Sequence, residues 1–225
     1  MVWNHCAGVN PSVPEFASAQ QTLSLACGAY SRIGDAVVSA LSISMRDEEG
    51  TLRRLVGPTA SHRGNHFKLI RSPGAPDQDK LELDPSTGLV CRHRAHVDHC
   101  LLTINPPTSL GLANGGRFYY LSANGSSRSW RPLEVPSGHV AIFPGLDMAT
   151  FTRGTAYEMS GLLHQVLATR TEAQQDRTSA LFRLALDPDS THLSCLTGAT
   201  FTFHGIPTPA GRDYYAEILN HRRGY

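Results

Sequence analysis

His96-x-Asp98 is followed 68 residues later by His164, and 13 residues after that by Arg177-x-Ser179. Two imidazoles and one carboxylate make the facial triad of non-heme Fe(II) sites, which leaves the opposite face open to substrate and O2. On a strand, residues i and i+2 project to the same side, so a strand carrying His96 and Asp98 would chelate one ion by itself. His164 would complete the set from a strand brought alongside. Arg177 and Ser179 repeat the i, i+2 spacing. A guanidinium with a hydroxyl beside it suits a carboxylate, gripped in part by a bidentate contact. Val166, two residues beyond His164, shares its face and would pack against the bound acid. With 11 His in 225 residues, a His-x-Asp arises by chance in roughly every second chain of this composition. The ordered set of five carries the reading, and the dipeptide alone does not.

These residues need elements to hold them. From His66 onward the chain shows short apolar runs broken by turn residues. The expected strands are 67–71, 89–93, 100–105, 117–122, 130–135, 139–143, 164–169 and 179–186. Pro73-Gly74, Pro106-Pro107, Gly115-Gly116, Asn124-Gly125 and Ser137-Gly138 supply the turns between them. Many short strands at such spacing indicate a sandwich or barrel rather than alternating β/α units. Ahead of them, Tyr30, Ile33, Val37 and Leu41 are spaced three, four and four apart, the stripe of a helix buried on one face. Residues 1–14 carry Pro11 and Pro14 and read as an extended or mobile lead-in, and 46–65 as irregular. A short C-terminal helix is expected with Thr208 as N-cap, Pro209 at its first position and Arg222-Arg223 near its end. The fold class is mainly β, a double-stranded β-helix (jelly roll) with flanking α-helices. Within one structural domain, 1–65 form the lead-in and buttressing helix, 66–186 the core and 187–225 a C-terminal extension.

Composition narrows the function classes. At 225 residues with 40% hydrophobic side chains the chain can bury a real core, and its net charge of +1 argues against nucleic acid or an anionic membrane as partner. The five Cys (6, 27, 91, 100 and 195) are odd in number and include no Cys-x-x-Cys, so neither a disulfide framework nor a zinc knuckle is expected. No leader-like N-terminus and no run of membrane-spanning length is present. A reducing cytoplasm and a small-molecule substrate are the expectation.

Several stretches resemble the isopenicillin N synthase-like branch of the Fe(II)/2-oxoglutarate-dependent oxygenases. His96-Val-Asp-His-Cys-Leu-Leu-Thr-Ile-Asn105 is similar to that family's metal-binding strand and the apolar strand after it. Gly111-Leu112 matches its Gly-Leu turn, Trp130-Arg-Pro-Leu-Glu-Val135 its Trp-x-x-Val segment, and His139 to Met148 the approach to a Gly-x-Asp-Met stretch. Gly154 falls where the family has a Thr-Asn-Gly turn. His164-Gln-Val166 stands for His-Arg-Val, and Arg177-Thr-Ser179 for Arg-x-Ser, with Phe182 just beyond. Gln165 departs from the usual Arg, and Ser72 stands where a Tyr before Pro73 is usual, which leaves the second anchor of the acid open. The resemblance implies Fe(II) held by His96, Asp98 and His164, with 2-oxoglutarate as co-substrate on Arg177 and Ser179, and O2 as oxidant. The implied reaction is oxidation of an unactivated C–H of a small organic molecule in specialised metabolism: hydroxylation, desaturation or ring closure. Asp98 occupies the position that halogenases of the family leave free for chloride. Arg71, Arg94 and Phe182, on or beside strands approaching the mouth, are the candidate substrate contacts. Two alternatives remain open. One is an isopenicillin N synthase-like oxidase that uses Arg177 and Ser179 for the substrate's own carboxylate. The other is a truncated, non-catalytic jelly-roll binding module, because the region before the core is short for the family.

Overall fold

In the computed structural model, the described residues are 2–3, 20–46, 51–56, 65–75, 81–106, 115–124, 127–153, 156–185, 191–193 and 200–202. They form strands β1 (Val2–Trp3), β2 (His66–Ser72), β3 (Val90–His96), β4 (Leu102–Asn105), β5 (Arg117–Asn124) and β6 (Ser127–Pro132). β7 (Ala141–Pro144), β8 (His164–Ala168), β9 (Arg177–Leu184), β10 (Thr191–Leu193) and β11 (Thr200–Thr202) follow. The helices are α1 (Gln20–Ser44), α2 (Thr51–Val56), α3 (Leu146–Thr152) and α4 (Arg170–Ala173). Among the described residues no helix is long and apolar enough to cross a membrane.

Two antiparallel sheets face one another, one in the order β1-β2-β9-β4-β7 and the other β3-β8-β5-β6. The chain crosses from one sheet to the other between β2 and β3, β3 and β4, β4 and β5, β6 and β7, β7 and β8, and again into β9. That alternation is a double-stranded β-helix, as expected. All eight expected strands are present with ends shifted by a few residues. β5 and β6 pair antiparallel as far as Asn124 opposite Ser127.

β9 explains why one sheet can serve both core and cavity. Its even-numbered residues Phe182 and Leu184 are fully buried against α1. Tyr30 of α1 stacks on Phe182 at 6.2 Å and on Phe67 at 5.6 Å, within the range where offset aromatic pairs attract. Burying a side chain such as Phe182 contributes roughly 1.5–3 kcal/mol. Gly34 faces the same core, where a Cβ would meet Leu184 at an ordinary van der Waals distance of 3.4 Å. The expected stripe of Tyr30, Ile33, Val37 and Leu41 packs on this core together with Leu23, Cys27, Val38 and Met45. The odd-numbered residues of β9 face the other way, into the space between the sheets.

Some elements differ from expectation. Residues 46–65 are not wholly irregular, because α2 forms there and buries Leu52 and Val56. Val2–Trp3 add a strand to the edge of β2. Thr169 is not a strand residue. It caps α4 through a reciprocal capping box with Glu172. The Gly111-Leu112 turn, Gly154 and the helix from Thr208 to Arg223 lie outside the described residues, as do residues 4–14.

Candidate metal centre and acid pocket

The paired strands β3 and β8 place His96 directly opposite His164. Asp98 arrives differently from the sequence expectation: β3 ends at His96, and Asp98 lies in the loop beyond it. The i, i+2 strand argument therefore does not apply to this pair. Backbone contacts fix the loop instead, with the amide of Leu146 donating to the Asp98 carbonyl at 2.8 Å and that of Asp147 to Cys100 at 3.2 Å. Gly145 makes this approach possible. A Cβ there would press on the Cys100 carbonyl and lie 2.7 Å from that of Asp98.

The three side chains nevertheless converge, with one ligand atom from each within 4.8 Å of the other two. Asp98 Oδ1 is 3.6 Å from His96 Nε2, and Asp98 Oδ2 is 3.8 Å from His164 Nε2. Each imidazole uses its other nitrogen on a main-chain carbonyl, His96 Nδ1 on Arg94 at 2.8 Å and His164 Nδ1 on Leu162 at 2.9 Å. A carbonyl only accepts, so Nδ1 must carry the proton and Nε2 keeps its lone pair for a metal. Burial pushes His164 down to about 4, the neighbouring His96 acting in the same sense against Asp98, so the ring is neutral at pH 7. Phe118 stacks on it at 4.7 Å and Phe143 meets it edge-on at 5.2 Å.

Asp98 is buried, and burial alone would raise its pKa. The His96 contact, the Arg183 charge, His164 and the Thr103 hydroxyl outweigh that and hold the carboxyl well below the usual range. Thr103 Oγ1 donates to Oδ2 at 2.7 Å, and the Arg183 guanidinium pairs with Oδ1. Each carboxylate oxygen has a second lone pair, so these contacts orient the group without using it up. Two imidazoles with inward Nε2 and one ionised carboxylate, held in place by its own partners, fit a divalent metal of intermediate softness.

One cavity joins this cluster to Arg177 and Ser179, and Val166 lines it as well. Arg177 and Ser179 are buried on the same face of β9, as their spacing requires. Burial pushes the Arg177 guanidinium down to about 10, with nearby Arg92 adding to the effect, so it is charged at neutral pH. Such a cation in a low-polarity wall is stabilised by an anionic ligand. Arg92 itself is committed to the frame. Its guanidinium donates to the carbonyls of Ala173, Gln175, Ser72 and Pro73, tying β3 to the end of β2 and to the turn before β9. Ser72 lines the same end of the cavity, while Gln165 turns away from the metal ligands and donates to Asp84 at 3.1 Å.

The candidate substrate contacts fare less well. Phe182 points into the helix-facing core, because it has the opposite parity to Arg177 and Ser179. Arg71 is exposed and paired with Asp176 at 2.6 Å on the outer face of β2, whose inward residues are Lys68, Ile70 and Ser72. Arg94 stands at the mouth, paired with Glu82 at 2.9 Å. The mouth opens into a cavity of about 610 Å³, within the size range of small-molecule sites. Sequence reading missed Arg183, Thr103, Lys68, Asn105 and Phe118. Counting every second residue from Arg177 would have reached Arg183 and excluded Phe182.

No protein-family model matches the sequence, nor does any curated protein. Solved structures do match. A Caulobacter crescentus protein assigned to the 2OG-Fe(II) oxygenase family aligns with TM-score 0.61 at 21% identity, over 98% of this chain and 63% of that one. A full-length Neurospora crassa protein in complex with alpha-KG gives TM-score 0.63 at 12% identity, over 100% and 65%. A Shewanella oneidensis protein described as an oxygenase gives 0.58 at 15%, over 96% and 69%. The chain thus spans less than two thirds of the Caulobacter and Neurospora proteins. What it shares with them is the fold: the chain has the jelly-roll fold of the 2OG-Fe(II) oxygenases.

Proposed function

We propose that the chain is a non-heme Fe(II)/2-oxoglutarate-dependent oxygenase of the isopenicillin N synthase-like branch, oxidising an unactivated C–H of a small organic molecule in specialised metabolism. One observation carries the reading: His96, Asp98 and His164 converge in the same cavity that holds the buried pair Arg177 and Ser179. The neighbours support it, since the Neurospora crassa protein has been solved with alpha-KG, and also with alpha-KG and 5-formyluracil together. The catalytic core is residues 66–186, with 1–65 buttressing it and 187–225 as an extension, and the free cysteines suit a cytoplasmic setting.

The geometry supports a division of labour. His96, Asp98 and His164 hold Fe(II), which with O2 and a 2-oxo acid supplies the oxidising power for C–H cleavage. Arg177 and Ser179 hold the distal carboxylate of 2-oxoglutarate, and Val166 and Phe118 give its carbon chain an apolar wall. Thr103 and Arg183 keep Asp98 ionised and oriented. The 610 Å³ mouth receives the substrate.

Anaerobic addition of Fe(II) and 2-oxoglutarate should produce a weak visible charge-transfer band, lost on chelation. Substrate turnover that needs no 2-oxo acid would instead assign Arg177 and Ser179 to the substrate's own carboxylate. Absence of both the band and any Fe(II)-dependent succinate formation rejects the enzyme reading in favour of a binding module.

A further inference from the structure

The wall of the cavity built by β2, β9 and β4 carries more polar groups than Fe(II) and 2-oxoglutarate can use. Lys68 is paired in register with Leu181, and Thr103 with Arg183. The same register puts Asn105 level with Leu181 on the opposite side from Lys68. Lys68 and Asn105 therefore flank Leu181 across two strand spacings, about 10 Å at the backbone. Arg183 stands one inward position further along, next to Asp98. All three line the cavity. Asn105 is only 5% exposed, yet its Oδ1 has no hydrogen-bond partner among the described residues, and neither does the buried Nε of Arg183. Native interiors rarely leave such atoms unmatched unless something else meets them.

Charge points to what that is. Among the described residues, Asp98 is the one carboxylate lining either the inner cavity or the mouth. A divalent metal is balanced by Asp98 and the C1 carboxylate of 2-oxoglutarate, and Arg177 by the distal carboxylate. Arg92 is occupied by main-chain carbonyls and by the field of Asp176. Lys68 is left over in that balance, and beside it Arg183, whose guanidinium pairs with Asp98, keeps its buried Nε unmatched: two cations on one wall. Asn105 adds an amide whose NH2 and oxygen can be exchanged by rotation, so it can donate to an anion as readily as accept.

We propose that Lys68, Asn105 and Arg183 form a second anion subsite, which selects a prime substrate bearing a carboxylate. This rests on the oxygenase reading, with 2-oxoglutarate on Arg177 and Ser179. The carboxylate seats between Lys68 and Asn105, with Arg183 on the metal side, and the rest of the substrate extends toward the mouth. Arg71 and Arg94, already paired with Asp176 and Glu82, are not needed.

The test uses the whole chain loaded anaerobically with Fe(II) and saturating 2-oxoglutarate. It is titrated with benzoate and phenylacetate against benzamide and phenylacetamide, followed by the charge-transfer band and by calorimetry. The acids should bind at least about tenfold more tightly than the matched amides, the scale expected for one charge-assisted contact. Lys68→Met should reduce that preference to about twofold or less while keeping the band, and Asn105→Leu should weaken acid binding without affecting amide binding. Arg183→Gln should also lower the preference, with Fe(II) affinity measured separately because this residue touches Asp98. If the band forms but acids and amides bind alike, or no acid binds, or Lys68→Met keeps the full preference, the subsite is overturned while the oxygenase reading stands. Absence of the band in the unsubstituted protein overturns both.

Discussion

At the scale of single residues, the site separates groups that hold charge from groups that hold geometry. His96→Ala, Asp98→Ala and His164→Ala each remove one of the three proposed ligands, and each should abolish activity and weaken Fe(II) binding, read by calorimetry under anaerobic conditions. Arg177→Ala should leave Fe(II) bound. Truncating a buried, charge-assisted carboxylate contact costs roughly 2–5 kcal/mol, so the 2-oxoglutarate Kd should rise about 30-fold to several-thousand-fold. Ser179→Ala, losing one neutral donor, should cost at most about 1.5–3 kcal/mol by the same titration. If Arg177→Ala binds 2-oxoglutarate normally but loses the substrate, the oxidase alternative replaces the co-substrate role. That these five residues gather in one cavity was legible in the sequence, because their chemistries complement one another only around a shared ligand set. The inward direction of Arg183 was legible too, by parity along one strand. Lys68 and Asn105 were not, since a Lys and an Asn in short strands carry no sign of which sheet face is covered.

Among elements, the loop from Asp98 to Leu101 and the start of α3 act as one unit. Gly145→Ala would force the Asp98 and Cys100 carbonyls away from their present positions. The expected result is weaker Fe(II) binding with the distal Arg177 end of the cavity intact, together with a lower urea midpoint. Unchanged Fe(II) affinity would show that the Asp98 loop does not depend on this packing. Strands such as β2, β4 and β7 were legible because each is a short run with apolar residues closed by Pro or by Asn-Pro, whereas β3 and β6 are mostly polar and were marked by the turn residues around them. The short helices were harder to read. α3 follows a Gly N-cap with no side-chain capping bond, so its start leaves no mark. α4 does carry a Thr-x-x-Glu box, but Thr169 also continues the apolar run of β8, and the strand pattern masks it. Asp98 falls beyond the end of β3 for a related reason: His-x-Asp is equally compatible with a strand or with the turn that ends one.

For the molecule as a whole, one buried acid shapes the response to pH. Asp147, in the first turn of α3, is 3% exposed and its Oδ1 has no hydrogen-bond partner among the described residues. Burial pushes its carboxyl up to about 7. A carboxyl with a higher pKa in the fold than in the unfolded chain binds its proton more tightly when folded. Its contribution to stability is therefore full below the unfolded value of about 4 and lost as pH rises to the folded value. At about 1.4 kcal/mol per pKa unit the loss is of the order of a few kcal/mol. Urea midpoints should fall across that window, and Asp147→Asn should flatten the slope; an equally steep slope in the variant would assign it elsewhere. The two faces of β9 bear on how this protein can change over time. Phe182 and Leu184 are held by the helix, so replacements there threaten folding before they touch chemistry. Leu181, just before Phe182 in sequence and turned to the cavity, has neither helix nor metal ligand to satisfy, whereas Arg183 is tied to Asp98. If the cavity takes the substrate as proposed, a new preference can arise by drift at one position of one strand, and a mutant library aimed at altered selectivity belongs at 181 and its flanking partners on β2 and β4, with 182 to 184 left alone.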